Sequence, residues 1–92
     1  MAHHQEEPAK SIIRHFGGVS AVASIVGKHP SRVYRWTYPL TVREGTGGLV
    51  PSKDQVLLLE YARLNGVDFL PEDFFSPVRL NSLRDQVREA AE

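Results

Sequence analysis

Between Lys28 and Arg43 the chain concentrates side chains that bind anions and read nucleic-acid edges: Lys28, His29, Ser31, Arg32, Tyr34, Arg35, Tyr38 and Arg43. An arginine fork can pair both acceptors of a guanine edge, which a lysine does with less geometric definition. Arg32 and Arg35 are three residues apart, so on a helix they share a face. Arg35 is expected to touch DNA and read a base, and Arg32 to meet a phosphate. Tyr34 and Tyr38 stand one turn apart on a neighbouring face, suited to phosphates or thymine methyls. Ser20, near the start of the preceding helix, can hold a phosphate together with the backbone N–H groups there. Catalytic chemistry finds no comparable set. The chain has no cysteine, and no carboxylate pair, Ser/His/Asp set or metal cluster has usable spacing. No enzyme activity, cofactor or metal site is expected; His3 and His4 are at most an adventitious metal trap.

The residues that must position this face have their own spacing. Ala23 is followed four residues later by Gly27, Gly27 six later by Val33, and Val33 three later by Trp36. Two helices crossing steeply at close range need a small side chain at the contact, which Ala23 supplies. The tight turn between them needs a residue that tolerates φ > 0, which Gly27 supplies. Val33 and Trp36 lie one turn apart and point back into the core, so Trp36 reads as a core residue and not as a base-stacking platform. This is the spacing of a DNA-binding helix-turn-helix.

Charge supports that reading. The chain of 92 residues has eleven Lys and Arg against eleven Asp and Glu, a formal net charge of zero. From Pro8 to Arg43, however, there are six bases (Lys10, Arg14, Lys28, Arg32, Arg35 and Arg43) and no acid. Such an asymmetry fits one DNA-facing end and one solvated end. The length suits a single small domain. No apolar run approaches the ~20 residues of a membrane span, and the first residues lack the pattern of a signal peptide. A cytoplasmic, nucleoid-associated protein is expected.

The expected architecture is all-α: a small four- to five-helix bundle containing the helix-turn-helix, with a C-terminal helical extension. A first helix runs from Pro8 or Ala9 to about His15, with Ile12, Ile13 and Phe16 as its apolar stripe and Gly17-Gly18 as its stop. Ser20 to Val26 forms the second helix, with Val22, Ala23 and Val26 inward. Pro30 opens the third, which runs to about Tyr38, where Pro39 stops it. Gly45-Thr46-Gly47-Gly48 belongs to a loop, a short wing or hairpin in form, read as a flexible connector with a backbone approach to a DNA phosphate as the alternative. It is not a P-loop, since no Gly-Lys-Ser/Thr follows. Ser52 and Gln55 match a capping box for a fourth helix ending at Asn65, with Gly66 beyond it. Phe69, Leu70, Phe74 and Phe75 close the core around a short turn. The DNA-binding domain is thus residues 8–75. Residues 76–92 form a tail whose Leu80, Leu83 and Val87 recur at helical spacing, for docking or dimerisation.

These residues also resemble a family. Phe16-Gly17-Gly18, then Ala23, Gly27, Pro30-Ser31, Val33 and Trp36, with the later Gly48-Leu49-Val50-Pro51, are similar to small Cro-like bacterial and phage regulators, including the YdaS-like group. The resemblance spans roughly Ile12 to Leu64. It implies a domain that binds operator DNA and regulates transcription, often from phage-derived loci. In that group the residue after the turn glycine is usually aliphatic, and here it is Lys28, whose stem can cover the core while its ammonium reaches a phosphate. The residue before the helical proline is usually Ser or Thr; here it is His29, an expected loss of ~1 kcal/mol in capping.

The sequence therefore points to a sequence-specific, double-stranded-DNA-binding transcriptional regulator, a Cro-like repressor or activator, with its recognition helix at about Pro30–Tyr38 in the major groove. Pairing as a homodimer is expected, because one helix reads too few base pairs. The alternative is an antitoxin-type module that masks a toxin through Phe74-Phe75 or the C-terminal helix, with or without autoregulatory DNA binding. A protein partner would then be the toxin or RNA polymerase. No membrane partner is expected.

Overall fold

The computed structural model describes residues 6–91, with side chains to residue 86. The chain is all-helical, with α1 (Ala9–His15), α2 (Val19–Val26), α3 (Pro30–Tyr34), α4 (Ser52–Asn65) and α5 (Val78–Ala91). Two 3₁₀ segments, Arg35–Thr37 and Pro71–Phe74, complete it, and no strand occurs among the described residues. The 40–50 segment therefore forms no wing or hairpin of paired strands.

Glu7 starts α1. Its carboxylate accepts the Ser11 backbone N–H at 2.9 Å and the Ser11 hydroxyl at 2.8 Å, placing negative charge at the positive end of the helix. Ala9, Ile12 and Ile13 are buried. Gly17 and Gly18 follow at φ 104° and 108°, and the chain reverses there into α2. Gly27 sits left-handed at φ 66°, and the N–H groups of Gly27 and Lys28 both donate to the Ala23 carbonyl. That closes α2 with a glycine cap and aims the chain into α3.

The expected single helix from Pro30 to Tyr38 is two pieces. In an α-helix the Arg35 carbonyl would accept from residue 39, but Pro39 has no N–H. The Tyr38 N–H donates to it instead, at 3.1 Å, so the last turn tightens to 3₁₀. The Gly-rich loop satisfies other carbonyls in this turn. Gly48 N–H and the Thr46 hydroxyl donate to Trp36, Gly47 N–H to Tyr38, and Thr46 N–H to Arg35, all at 2.9–3.2 Å. The loop is a strap fastened along the end of α3, not a loose connector.

The capping box expected at Ser52 and Gln55 is absent. Pro51 precedes the helix, no side chain caps it, and Gln55 donates to the Val50 carbonyl at 2.9 Å. The helix is oriented instead by Asp54, whose carboxylate in its first turn faces inward and is fully buried. Gly66 ends α4 left-handed at φ 67°, as expected.

Phe16, Phe69 and Phe74 meet edge-on with ring centroids 4.9 Å apart at each step, closing the core under α1. The start of α5 docks on this body. Leu80 is buried, Asn81 lies 3.1 Å from the Ser11 hydroxyl, and Arg79 bridges Asp68 and Asp73. Leu83 is only half-buried, and the side chain of Val87 lies outside the described residues, as do His3 and His4. Among the described residues no helix is long and apolar enough to cross a membrane.

Candidate nucleic-acid interface

The two-helix unit places its framework residues inward. Ala23 is 4% exposed, Val33 0% and Trp36 2%, so the residues whose spacing defines the motif form its buried joint. The other side of α3 then faces outward by geometry. Ser31, Arg32 and Tyr34 are exposed, Arg35 half-buried and Tyr38 exposed; Ser20 on α2 and Arg43 beyond the 3₁₀ turn are exposed too.

The change from α to 3₁₀ pitch alters how these side chains relate. Arg32 lies within the α-helical part and Arg35 opens the 3₁₀ turn, three positions on. Tyr34 closes the α-helical part and Tyr38 follows the 3₁₀ turn in extended backbone. The two rings remain 45% and 39% exposed.

His29 corrects the expectation of a weakened cap. Its Nδ1 accepts the Ser31 backbone N–H at 3.1 Å, and the Ser31 hydroxyl lies 2.9 Å from the same nitrogen. The imidazole thus does the work of a Ser or Thr at the start of α3. Both residues are accordingly engaged with each other at the surface.

Lys28 also departs from expectation. Its ammonium, expected to reach a phosphate, donates to Asp54 Oδ2 at 2.7 Å. The lysine side chain is 30% exposed and the aspartate fully buried, so the pair bolts the inter-helix turn to α4. Asp54 Oδ1 has no hydrogen-bond partner among the described residues, which leaves Lys28 as the partner of a deeply placed charge.

Arg35 carries a second unanticipated partner. Its Nη1 lies 2.7 Å from Glu44 Oε2, the first acid after the basic stretch. Together with Lys28, Arg32, Thr46 and Pro51 these residues line a recess of about 160 Å³ floored by Trp36. Arg32 is in no ion pair among the described residues and is the freest cation at this rim. Sequence reasoning missed Glu44, Thr46 and Asp54. The only signal for Glu44 was its position as the acid that ends the basic run; Asp54 left no local signal.

Elsewhere, the Phe74-Phe75 pair expected as a partner patch is split. Phe74 is 1% exposed and belongs to the core, whereas Phe75 is 68% exposed. His15 sits at the end of α1 as expected, edge-on to Phe16, with Nε2 2.8 Å from the Asp68 carbonyl oxygen.

No family model matches the sequence, and neither a curated protein nor a solved structure shows a significant match to it.

Proposed function

We propose that this chain is a sequence-specific regulator that binds duplex DNA, of the Cro-like helix-turn-helix kind, with the segment from Pro30 to Tyr38 entering the major groove. One observation carries the reading. Ala23, Val33 and Trp36 are buried at the joint of α2 and α3 while Arg32, Tyr34 and Arg35 look outward, within a stretch from Pro8 to Arg43 that has no acid. A short helix presented by a rigid partner, with a basic outward face and a buried inward one, has the form that such readers use. In this reading Arg35 reads a base. Arg32 and Arg43 hold phosphates, as does Ser20 at the start of α2. Lys28 serves the fold. The protein acts as a homodimer in the cytoplasm, on the nucleoid, as a repressor or activator.

The test is a salt series on full-length protein and duplex DNA, followed by selection from a random duplex library. Binding that weakens steeply with salt, by nearly one logarithmic unit per tenfold salt for each phosphate neutralised, together with recovery of a preferred site, supports the reading. Salt-insensitive or absent binding overturns it.

A second reading draws on the exposed apolar corner where Leu70, Phe75 and Val78 are 41%, 68% and 73% accessible. As an antitoxin-type module the chain would cover a toxin, or touch RNA polymerase, through this corner. A tight protein complex that survives high salt, without duplex binding, would favour it.

A further inference from the structure

Glu44 is hard to explain by the stability of the fold. It is the only non-glycine residue with positive φ among the described residues, at 62°. That backbone region suits Gly or Asn, and the strain of placing a glutamate there at least matches what an exposed ion pair returns. Its partner is Arg35, with side chains 36% and 55% exposed, so the pair sits at the surface. The backbone nevertheless fixes its place. Gly45 N–H donates to Val42 at 2.8 Å and Thr46 N–H to Arg35 at 3.2 Å. A Cβ at Gly45 would run into the Pro39 carbonyl oxygen, and one at Gly48 into the Glu7 carbonyl. The strap is closely packed just after Glu44, at Gly45 and Gly48, and the carboxylate it delivers meets one nitrogen of one arginine.

We propose that Glu44 is a positioning residue for base reading by Arg35, an inference that rests on the DNA-binding function proposed above. A guanidinium has five N–H donors. With Nη1 held by Glu44, the Nε and Nη2 edge keeps its two-donor fork and turns it to a guanine edge. Holding the long side chain in one rotamer lowers the ordering cost of that contact. The carboxylate also acts against the competing arrangement. If Arg35 swung to a phosphate, Glu44 would be left unpaired beside a polyanion, so nonspecific binding is penalised while the guanine contact is not. Of the other cations at the recess, Lys28 is neutralised by Asp54 and Arg32 supplies the phosphate contact.

The experiment compares the full chain with Glu44→Gln, Arg35→Ala and the double variant. Affinity is read by fluorescence anisotropy, across a salt series, for a site selected from random duplex and for an unrelated duplex. Glu44→Gln should bind the unrelated duplex more tightly, with a salt slope steeper by about 0.9, and discriminate about tenfold less between the two. In the Arg35→Ala background the same substitution should leave discrimination unchanged, because Glu44 acts through Arg35. Glu44→Asn, which the left-handed backbone accommodates, carries the same expectation and covers the case in which the glutamine variant misfolds. A folded Glu44→Gln or Glu44→Asn with wild-type discrimination and salt slope overturns the proposal alone. So does an effect of Glu44→Gln that persists in full without Arg35. Loss of the DNA-binding reading itself would show separately, as no salt-dependent duplex binding by the wild-type chain, and would overturn both.

Discussion

The ammonium of Lys28 lies 2.7 Å from Oδ2 of Asp54, a carboxylate with no solvent exposure, and this contact fastens the turn between α2 and α3 to the first turn of α4. Removing the cation would strand a buried charge whose other oxygen already lacks a partner among the described residues. Lys28→Ala should therefore destabilise the domain by about 3 kcal/mol, the low end for breaking a buried pair because the lysine is partly exposed. Replacing both partners by Lys28→Met and Asp54→Leu should recover most of the loss. Thermal melts of the two variants beside the wild type check this. A Lys28→Ala protein that melts like wild type but binds all duplexes more weakly would mean that the ammonium leaves Asp54 for a phosphate.

Asp73 contributes to the pH dependence of the fold. Burial opposes its ionisation, but hydrogen bonds from Arg79 and the Leu70 N–H, with the charges of Arg79 and His15, outweigh it and hold its carboxyl below the usual aspartate range. Hydrogen bonds to Asp73 and Asp68 in turn raise the Arg79 guanidinium above its ordinary value. A depressed folded pKa gives stability that is fully present above the unfolded value of about 4 and is lost as pH falls through the lower folded one. Urea midpoints measured from pH 7 down to pH 2 should fall most steeply at the acid end. Arg79→Met should lower the midpoint at neutral pH and flatten that fall, since the stranded carboxylate then prefers its proton. An unchanged acid limb in Arg79→Met would remove the pair from the account.

Local physics decided which of these features the sequence could reveal. The ends of α1 and α2, the left-handed Gly27 and Gly66, and the burial of Ala23, Val33 and Trp36 follow from turn chemistry and helical spacing within a few residues. Pro39 was legible as a stop, yet its second effect, the 3₁₀ turn, needed the accounting of one missing N–H. What stayed hidden depends on pairings between distant residues. Lys28 meets Asp54 across 26 positions, and Arg35 meets Glu44 only because the strap folds back on α3. Gly45-Thr46-Gly47-Gly48 looked flexible by composition. Its glycines instead provide room for close backbone approach, at Pro39 and at Glu7. Ser52 and Gln55 have capping-box spacing, but the helix starts after Pro51, whose carbonyl accepts the Asp54 and Gln55 N–H groups.

Arg32 and Arg35 should separate cleanly in binding. Arg35→Ala should cost about 1–3 kcal/mol on a selected site and relax preference at one base position. Arg32→Ala should weaken all duplexes about equally and reduce the salt slope by about one. Binding isotherms on a panel of single-base variants of the site distinguish the two patterns. Unchanged affinity and preference in a folded Arg35→Ala protein would take Arg35 off the reading face.

Pairing of two copies is the remaining expectation, and the structure changes how it must be tested. The tail is one candidate for the contact, and the segment from Phe69 to Phe75 is considered beside it. Phe69, Phe74 and Leu80 are buried within their own domain, so they are already used. Leu70, Phe75 and Val78 remain exposed at one corner, where the 3₁₀ segment meets α5. A chain cut after Ser76 would lose Arg79 from Asp73 and Leu80 from the core, and would weaken folding as well as pairing. Substitution in the full chain is the cleaner test. Sedimentation should give a dimer, alone or on a two-part site with half-sites about 34 Å apart. Phe75→Glu with Val78→Glu should leave monomers, or abolish cooperative binding, while the melting temperature holds. A wild-type chain that binds one per half-site without cooperativity would end the pairing idea. Specificity would then have to come from tandem monomers or from a partner protein.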